Sequence, residues 1–291
     1  MYREVSAATG IKREALAYME VTKPLPSLLL AFLGIAAAII AGSTFTTSLW
    51  LIFITVLFAA AGANGLTNYL DRDIDARMER TCRRALPSGR VYPPQRVLPL
   101  IACLIFIGLI LSLRLGWPVF LADVVGTLVA ATWRKKVTCV YPQGVVASCT
   151  PVLMGWLAVR SAVSLEVLLL CLMIAAWLPL HVWSLIIAHR GDYIQAGLDY
   201  FPVSFPVKGS VRMLLVFSLA LYAASIAMYF TGGFGWLYLA TANVLGIWMV
   251  YGSIRLVISG AAEDAWKLYK LSTFPYLGLI FLVMCLDVWL A

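Results

Sequence analysis

Residues 48–81 read "SLWLIFITVLFAAAGANGLTNYLDRDIDARMERT". Positions 48–70 carry no charge; then Asp71, Arg72, Asp73, Asp75, Arg77, Glu79 and Arg80 fall within ten positions. An apolar run of about 20 residues matches the thickness of a bilayer's hydrocarbon core, so the stretch reads as a helix crossing a membrane and leaving it at the charged end. Working outward, the whole chain has this character. Of its 291 residues 62% are hydrophobic and 12% charged, with a mean hydropathy of +0.91. Apolar runs recur near 25–42, 47–69, 97–113, 116–133, 142–159, 164–188, 211–231, 234–254 and 271–290. In lipid a spanning segment must satisfy its own backbone, so the runs predict an all-α integral membrane protein of nine transmembrane helices. No linker or low-complexity stretch divides residues 1–291, which read as one domain with residues 1–24 as a cytoplasmic N-terminal segment.

The net charge of +8 has a topological cause. With the N-terminus placed in the cytoplasm, 20 of the 22 Lys and Arg residues fall on inside segments, leaving Arg114 and Arg160 outside. That asymmetry follows the positive-inside rule and argues against a nucleic-acid partner. The six cysteines are scattered with no CxxC spacing, which indicates neither a zinc site nor a disulfide framework. The N-terminus lacks a short apolar core before a cleavage site, so it reads as an amphipathic helix and not as a signal peptide. The lack of a long N-terminal extension favours a prokaryotic cell membrane.

At 100° per residue Asn64, Asn68, Asp71 and Asp75 share one helix face, while Asp73 points the other way. An unpaired amide at membrane depth costs several kcal/mol, on the order of 2–7, so Asn64 and Asn68 must face protein or a water-filled cavity. Hard oxygen donors at this spacing suit Mg²⁺, which bridges carboxylates to a substrate's phosphates. Arg80, Arg83 and Arg84, with Arg134, Lys135 and Lys136 on another inside loop, supply countercharge for a diphosphate. In the sixth run His181 and Asp192 stand eleven residues apart, the offset of Asn64 and Asp75, and predict a second helix delivering polar groups to the same rim.

The stretch "TNYLDRDIDARMERTCRRALPSGR" resembles the first aspartate-rich motif of the UbiA superfamily of intramembrane prenyltransferases, and within it the protohaem IX farnesyltransferase (haem O synthase) branch. "TKP" at Thr22–Pro24, "MGWLAV" at Met154–Val159, "LPLHVWSLIIAHRGDYIQAG" at 178–197 and "KLYKLSTFPYLGLIFLVMCLD" at 267–287 are similar to that branch in the same order. The resemblance implies nine helices around a central cavity, with Mg²⁺ held between two acidic regions. It implies Asn68, Asp71, Asp75 and Asp192 as metal ligands, and Lys23, Arg80 and Arg84 as diphosphate partners. The implied substrates are farnesyl diphosphate and protohaem IX, reached from the lipid bilayer, with haem-pathway or oxidase-assembly proteins as partners. His181, Tyr193, Trp133, Trp156, Trp177 and Trp183 are candidates to line the porphyrin site. The chain departs from the pattern at Thr67, Ala85, Val140, Ala188 and Gly191. Two other readings are a prenyltransferase with an aromatic, quinone-precursor or lipid acceptor, and a non-catalytic haem-binding or transport protein.

Overall fold

A computed structural model describes residues 13–43, 47–132 and 140–290. The described residues form helices α1 (Arg13–Val21), α2 (Pro24–Ile40), α3 (Thr47–Asp75), α4 (Leu98–Leu115), α5 (Trp117–Thr132) and α6 (Val145–Leu157). They continue with α7 (Leu165–Ala188), α8 (Arg190–Gln195), α9 (Val207–Gly232), α10 (Trp236–Ser259), α11 (Ala262–Leu271) and α12 (Leu279–Leu290). Each apolar run read from the sequence overlaps one of them. Among the described residues six segments are long and apolar enough to cross a membrane, seven when the bent α1–α2 pair is taken as one; α5 is apolar but shorter.

Neighbours in sequence pack as neighbours in space: α2 on α3, α3 on α4, α5 on α6 and α9 on α10. Contacts of α6 with α2 and α7, of α7 with α9, and of α12 with α10 and α2 close the bundle into a ring. Lipid offers no hydrophobic drive between helices, so the closest approaches rely on small residues. A Cβ on Gly155 of α6 would stand 1.8 Å from Gly34 O of α2, so only glycine permits that crossing.

Three local features position the site. Lys23 precedes Pro24 with φ 50 and ψ 67, a left-handed conformation unusual for a side chain with a Cβ, and there the chain bends 47° from α1 into α2. The 29 residues of α3 extend about 43 Å, longer than the hydrocarbon core, so its last turns carry Asp71 and Asp75 beyond the apolar layer. In α7, Pro179 lacks the N–H that would bond Ala175 O, and Tyr141 Oη donates to that carbonyl at 2.5 Å instead.

Asp123 of α5 is an acid inside an apolar helix, only 2% exposed. Its Oδ1 accepts from Thr127 Oγ1 at 3.3 Å, and its Oδ2 is buried without a hydrogen-bond partner. A buried unsatisfied oxygen destabilises by about 1–3 kcal/mol, and an apolar side chain of similar volume removes that penalty. Asp123→Leu is expected to raise the apparent unfolding temperature in detergent by roughly 2–4 °C. A lowered temperature would show that the Ser112 and Thr127 hydroxyls beside the carboxyl more than offset that penalty.

Candidate active site

The polar face of α3 forms as its spacing predicts. Asn68, Asp71 and Asp75 are 9%, 7% and 1% exposed, whereas the Asp73 side chain is 73% exposed and pairs with Arg72 at 3.5 Å. The amide nitrogens are committed to protein: Asn64 Nδ2 donates to Ser27 Oγ at 3.0 Å and Asn68 Nδ2 to Val21 O at 2.7 Å. Each side chain therefore offers its oxygen as a cation ligand.

The face opens into two adjacent cavities. A chamber of about 370 Å³ runs into the bundle and is lined at its mouth by Asn64, Asp71, Arg80, Arg84 and Tyr193. A second, of about 460 Å³, lies under α1 and is lined by Asn68 and Asp75. Lys23 and Arg84 line both and form the wall between them. Arg84 Nη1 lies 3.0 Å from Asp75 Oδ2, an ion pair with its carboxylate buried and its guanidinium a third exposed. Arg80 lines the chamber beside Tyr193, and its Nε is buried without a partner. Burial pushes the Tyr193 phenol above its ordinary pKa against the opposing pull of Arg80 and Arg84, so the hydroxyl stays protonated as a donor.

The loop after α3 is folded back over this mouth. Thr81 Oγ1 donates to Asp75 O at 2.9 Å; Glu20 of α1 accepts from Ala85 N–H at 3.0 Å and from Arg90 Nη2 at 2.5 Å. Asp192 reaches the same loop from α8, its Oδ1 accepting from Glu79 N–H at 2.5 Å and its Oδ2 from Arg80 N–H at 3.1 Å. The two acidic regions thus meet at one rim, through a carboxylate that caps the loop bearing Arg80.

Other expectations are revised. The shared phase of His181 and Asp192 does not exist, because the helix breaks at His189, with φ −118 and ψ 30, and α8 starts afresh. His181 does not line the chamber: its ring lies between Trp177 and Tyr269, with centroids at 4.8 and 4.7 Å, and Nδ1 is 3.2 Å from Ser272 Oγ. Of the aromatic candidates among the described residues only Tyr193 lines the chamber; Trp156 and Trp183 are core residues, and Trp177 donates to Ser272 O. Arg134, Lys135, Lys136 and Trp133 lie outside the described residues. Tyr200 and Tyr269, which sequence reasoning missed, line the chamber from distant segments and leave no local signal. Asp123, also missed, lines it too and was visible as an acid inside an apolar run.

Among the described residues no three His, Cys, Asp or Glu side chains cluster closely enough to enclose a metal. The donor set nonetheless fits Mg²⁺ in its usual mode, in which one or two carboxylates share the ion with substrate phosphates and water: a buried carboxylate and amide oxygens stand beside arginines.

The model of the UbiA prenyltransferase family matches residues 27–275. The chain belongs to the UbiA prenyltransferase family. Among its UbiA relatives, a protein named protoheme IX farnesyltransferase from Desulforudis audaxviator is 37% identical over 290 residues, covering 97% of this chain and 91% of that one. A protein of the same name from Gloeobacter violaceus is 33% identical, covering 93% and 91%. Two solved UbiA homologues share the fold. One, from Aeropyrum pernix, has a TM-score of 0.72 at 21% identity and covers 89% of this chain and 98% of its own. The other, from Archaeoglobus fulgidus and bound to GPP and Mg²⁺, has a TM-score of 0.61 at 14% identity and covers 92% and 99%.

Proposed function

We propose that this UbiA chain transfers the farnesyl group of farnesyl diphosphate to a vinyl group of protohaem IX, giving haem O. The observation that carries the reading is the meeting of a buried acid–amide face with Arg80, Arg84 and Lys23 at the mouth of a chamber. The names of its relatives supply the acceptor. The rim bearing Asp71 is assigned to the cytoplasmic side of a cell membrane, with the N-terminus inside and nine crossings.

Asp71, Asp75, Asn68 and Asp192 are the residues assigned to Mg²⁺, with Asn64 beside them. Mg²⁺, when bound, neutralises negative charge that develops on the departing diphosphate. Arg80, Arg84 and Lys23 do the same with fixed guanidinium and ammonium groups, Arg80 offering its unpartnered Nε. As the bond from the allylic carbon to oxygen breaks, its electron pair leaves with diphosphate. Tyr193, Tyr200 and Tyr269 line the chamber in which the allylic cation remains, and the apolar walls keep bulk water from it. The vinyl π pair then forms the new carbon–carbon bond, and water captures the second cation with loss of a proton, leaving a hydroxyl. His181 is assigned to the acceptor side through its contact with Tyr269, and Arg134 and Lys135 to countercharge at the same rim.

Purified chain incubated with labelled farnesyl diphosphate, haem and Mg²⁺ is expected to yield a more hydrophobic haem on chromatography. Chelation should abolish the product, and added Mg²⁺ should restore it. Label appearing in a quinone precursor or lipid alcohol but not in haem would move the acceptor. Absence of any labelled product with all acceptors would overturn the transfer reading in favour of a haem-binding or transport protein.

A further inference from the structure

The chamber has a measurable depth. On α3 the lining positions Asp71, Thr67, Ala63, Ala60 and Val56 follow at helical spacing, so one face of the helix forms a wall from mouth to floor. Fifteen residues at 1.5 Å each put Val56 about 22 Å below Asp71. The lower half of the facing wall is made by α5, with Asp123 deep and Ala130 about 10 Å above it, and by α6, which runs the opposite way from Ala147 down to Met154 over the same length. Ala59, Ala60, Ala63, Gly126 and Ala130 keep this shaft open; a Cβ on Gly126 would collide with Thr150 at 2.3–2.7 Å.

The shaft is blind. Val56, Met154 and Asp123 are 1%, 1% and 2% exposed although each touches the cavity, so the floor is close-packed. Behind it α2 and α6 meet backbone to backbone at Gly34 and Gly155, and a Cβ on Gly34 would press on Val56 Cγ2 at 2.9 Å.

We propose that this shaft is the length gauge for the isoprenyl chain, with Val56, Asp123 and Met154 as its stop and Ala60 one helical turn above that stop. The inference rests on the assignment of diphosphate to Asp71, Arg80 and Arg84. An extended isoprene unit spans about one helical turn, ~5 Å, so three units reach about 16 Å and a diphosphate group fills the remaining ~5 Å of a 22 Å shaft. Four units overrun the floor by about one turn. The stop therefore admits farnesyl and shorter groups and excludes geranylgeranyl.

The test uses full-length protein in detergent and a series of ten-, fifteen- and twenty-carbon diphosphates, with unreactive thiolodiphosphates of the same lengths for binding. Wild type should be stabilised thermally most by the fifteen-carbon analogue and should transfer that group fastest. Met154→Ala deepens the shaft and should raise twenty-carbon relative to fifteen-carbon use by roughly ten-fold. Ala60→Phe raises the floor by about one turn, one isoprene unit, and should shift the preference to ten carbons; if that variant misfolds, Ala60→Leu and Met154→Ala carry the test. Unchanged length preference in folded Met154→Ala, in both binding and transfer, would overturn the gauge. Wild type that is stabilised by thiolodiphosphates but transfers nothing to haem would instead overturn the acceptor and leave the gauge standing.

Discussion

Asp71→Asn is expected to lower prenyl transfer on the order of 10²–10³-fold while leaving the protein folded. Asparagine keeps the shape and one oxygen donor of the aspartate but removes the charge a divalent cation needs. Asp71 is 7% exposed and lines the chamber beside Arg80 and Arg84, where removing one anion leaves two guanidiniums facing each other across less countercharge. That imbalance favours diphosphate binding, so the variant should bind the donor at least as well as wild type in the absence of metal. It should lose the gain that Mg²⁺ confers. Asp75→Asn should be slow for a different reason, since its carboxylate also holds Arg84 at 3.0 Å, and its donor affinity should fall along with turnover. Size-exclusion profiles and turnover, measured on both variants, check the pair of outcomes; turnover within ten-fold of wild type in both would make the acidic face structural.

Asp192→Ala should cost about 10²-fold in turnover, because a misplacement of about 1 Å in a catalytic group has that effect. Asp192 is joined to the Glu79 and Arg80 amides, and it is the link between α8 and the loop that carries Arg80 into the chamber. Without it the 76–93 loop keeps the Glu20 contacts to Ala85 and Arg90, the Thr81 bond to Asp75 and the Arg84–Asp75 ion pair, but loses its tie to α8. Trypsin should therefore cut faster at Arg77 or Arg83 in the variant, a readout that loss of a metal ligand alone would not produce. Asp192→Asn separates the two roles. A retained oxygen acceptor should recover protease resistance in part, and turnover should recover with it if capping is the main contribution. If Asn protects the loop yet turnover stays at the Ala level, the negative charge itself acts on the metal.

The first acidic motif was legible because two periodicities coincide in it. An apolar run of bilayer length states where the helix is, and amides placed every three or four residues within it state which face is protected; the burial of Asn68, Asp71 and Asp75 and the exposure of Asp73 follow. The second motif was not legible in the same way. Nothing at "IIAHRGDY" marks a helix end, since it has no proline and its glycine, Gly191, follows the break. The chain turns at His189 because Asp192 is drawn to amides more than a hundred residues away, a tertiary contact that local spacing does not encode. Projecting His181 and Asp192 onto one helix therefore put the imidazole at a rim it does not reach. Tyr200 and Tyr269 were invisible for the same reason, whereas Asp123 stood in plain view as an acid among apolar residues.

The central claim is that the face of α3 holds a divalent cation jointly with a diphosphate. Electron paramagnetic resonance of Mn²⁺, a spectroscopic substitute for Mg²⁺, titrated into the purified chain with farnesyl thiolodiphosphate tests it most directly. The account predicts one tightly bound Mn²⁺ per chain that appears only with the diphosphate, shows coupling to phosphorus, and disappears in the Asp71→Asn, Asp75→Asn double variant. Equal Mn²⁺ binding in wild type and double variant, or a bound diphosphate with no manganese beside it, would contradict it.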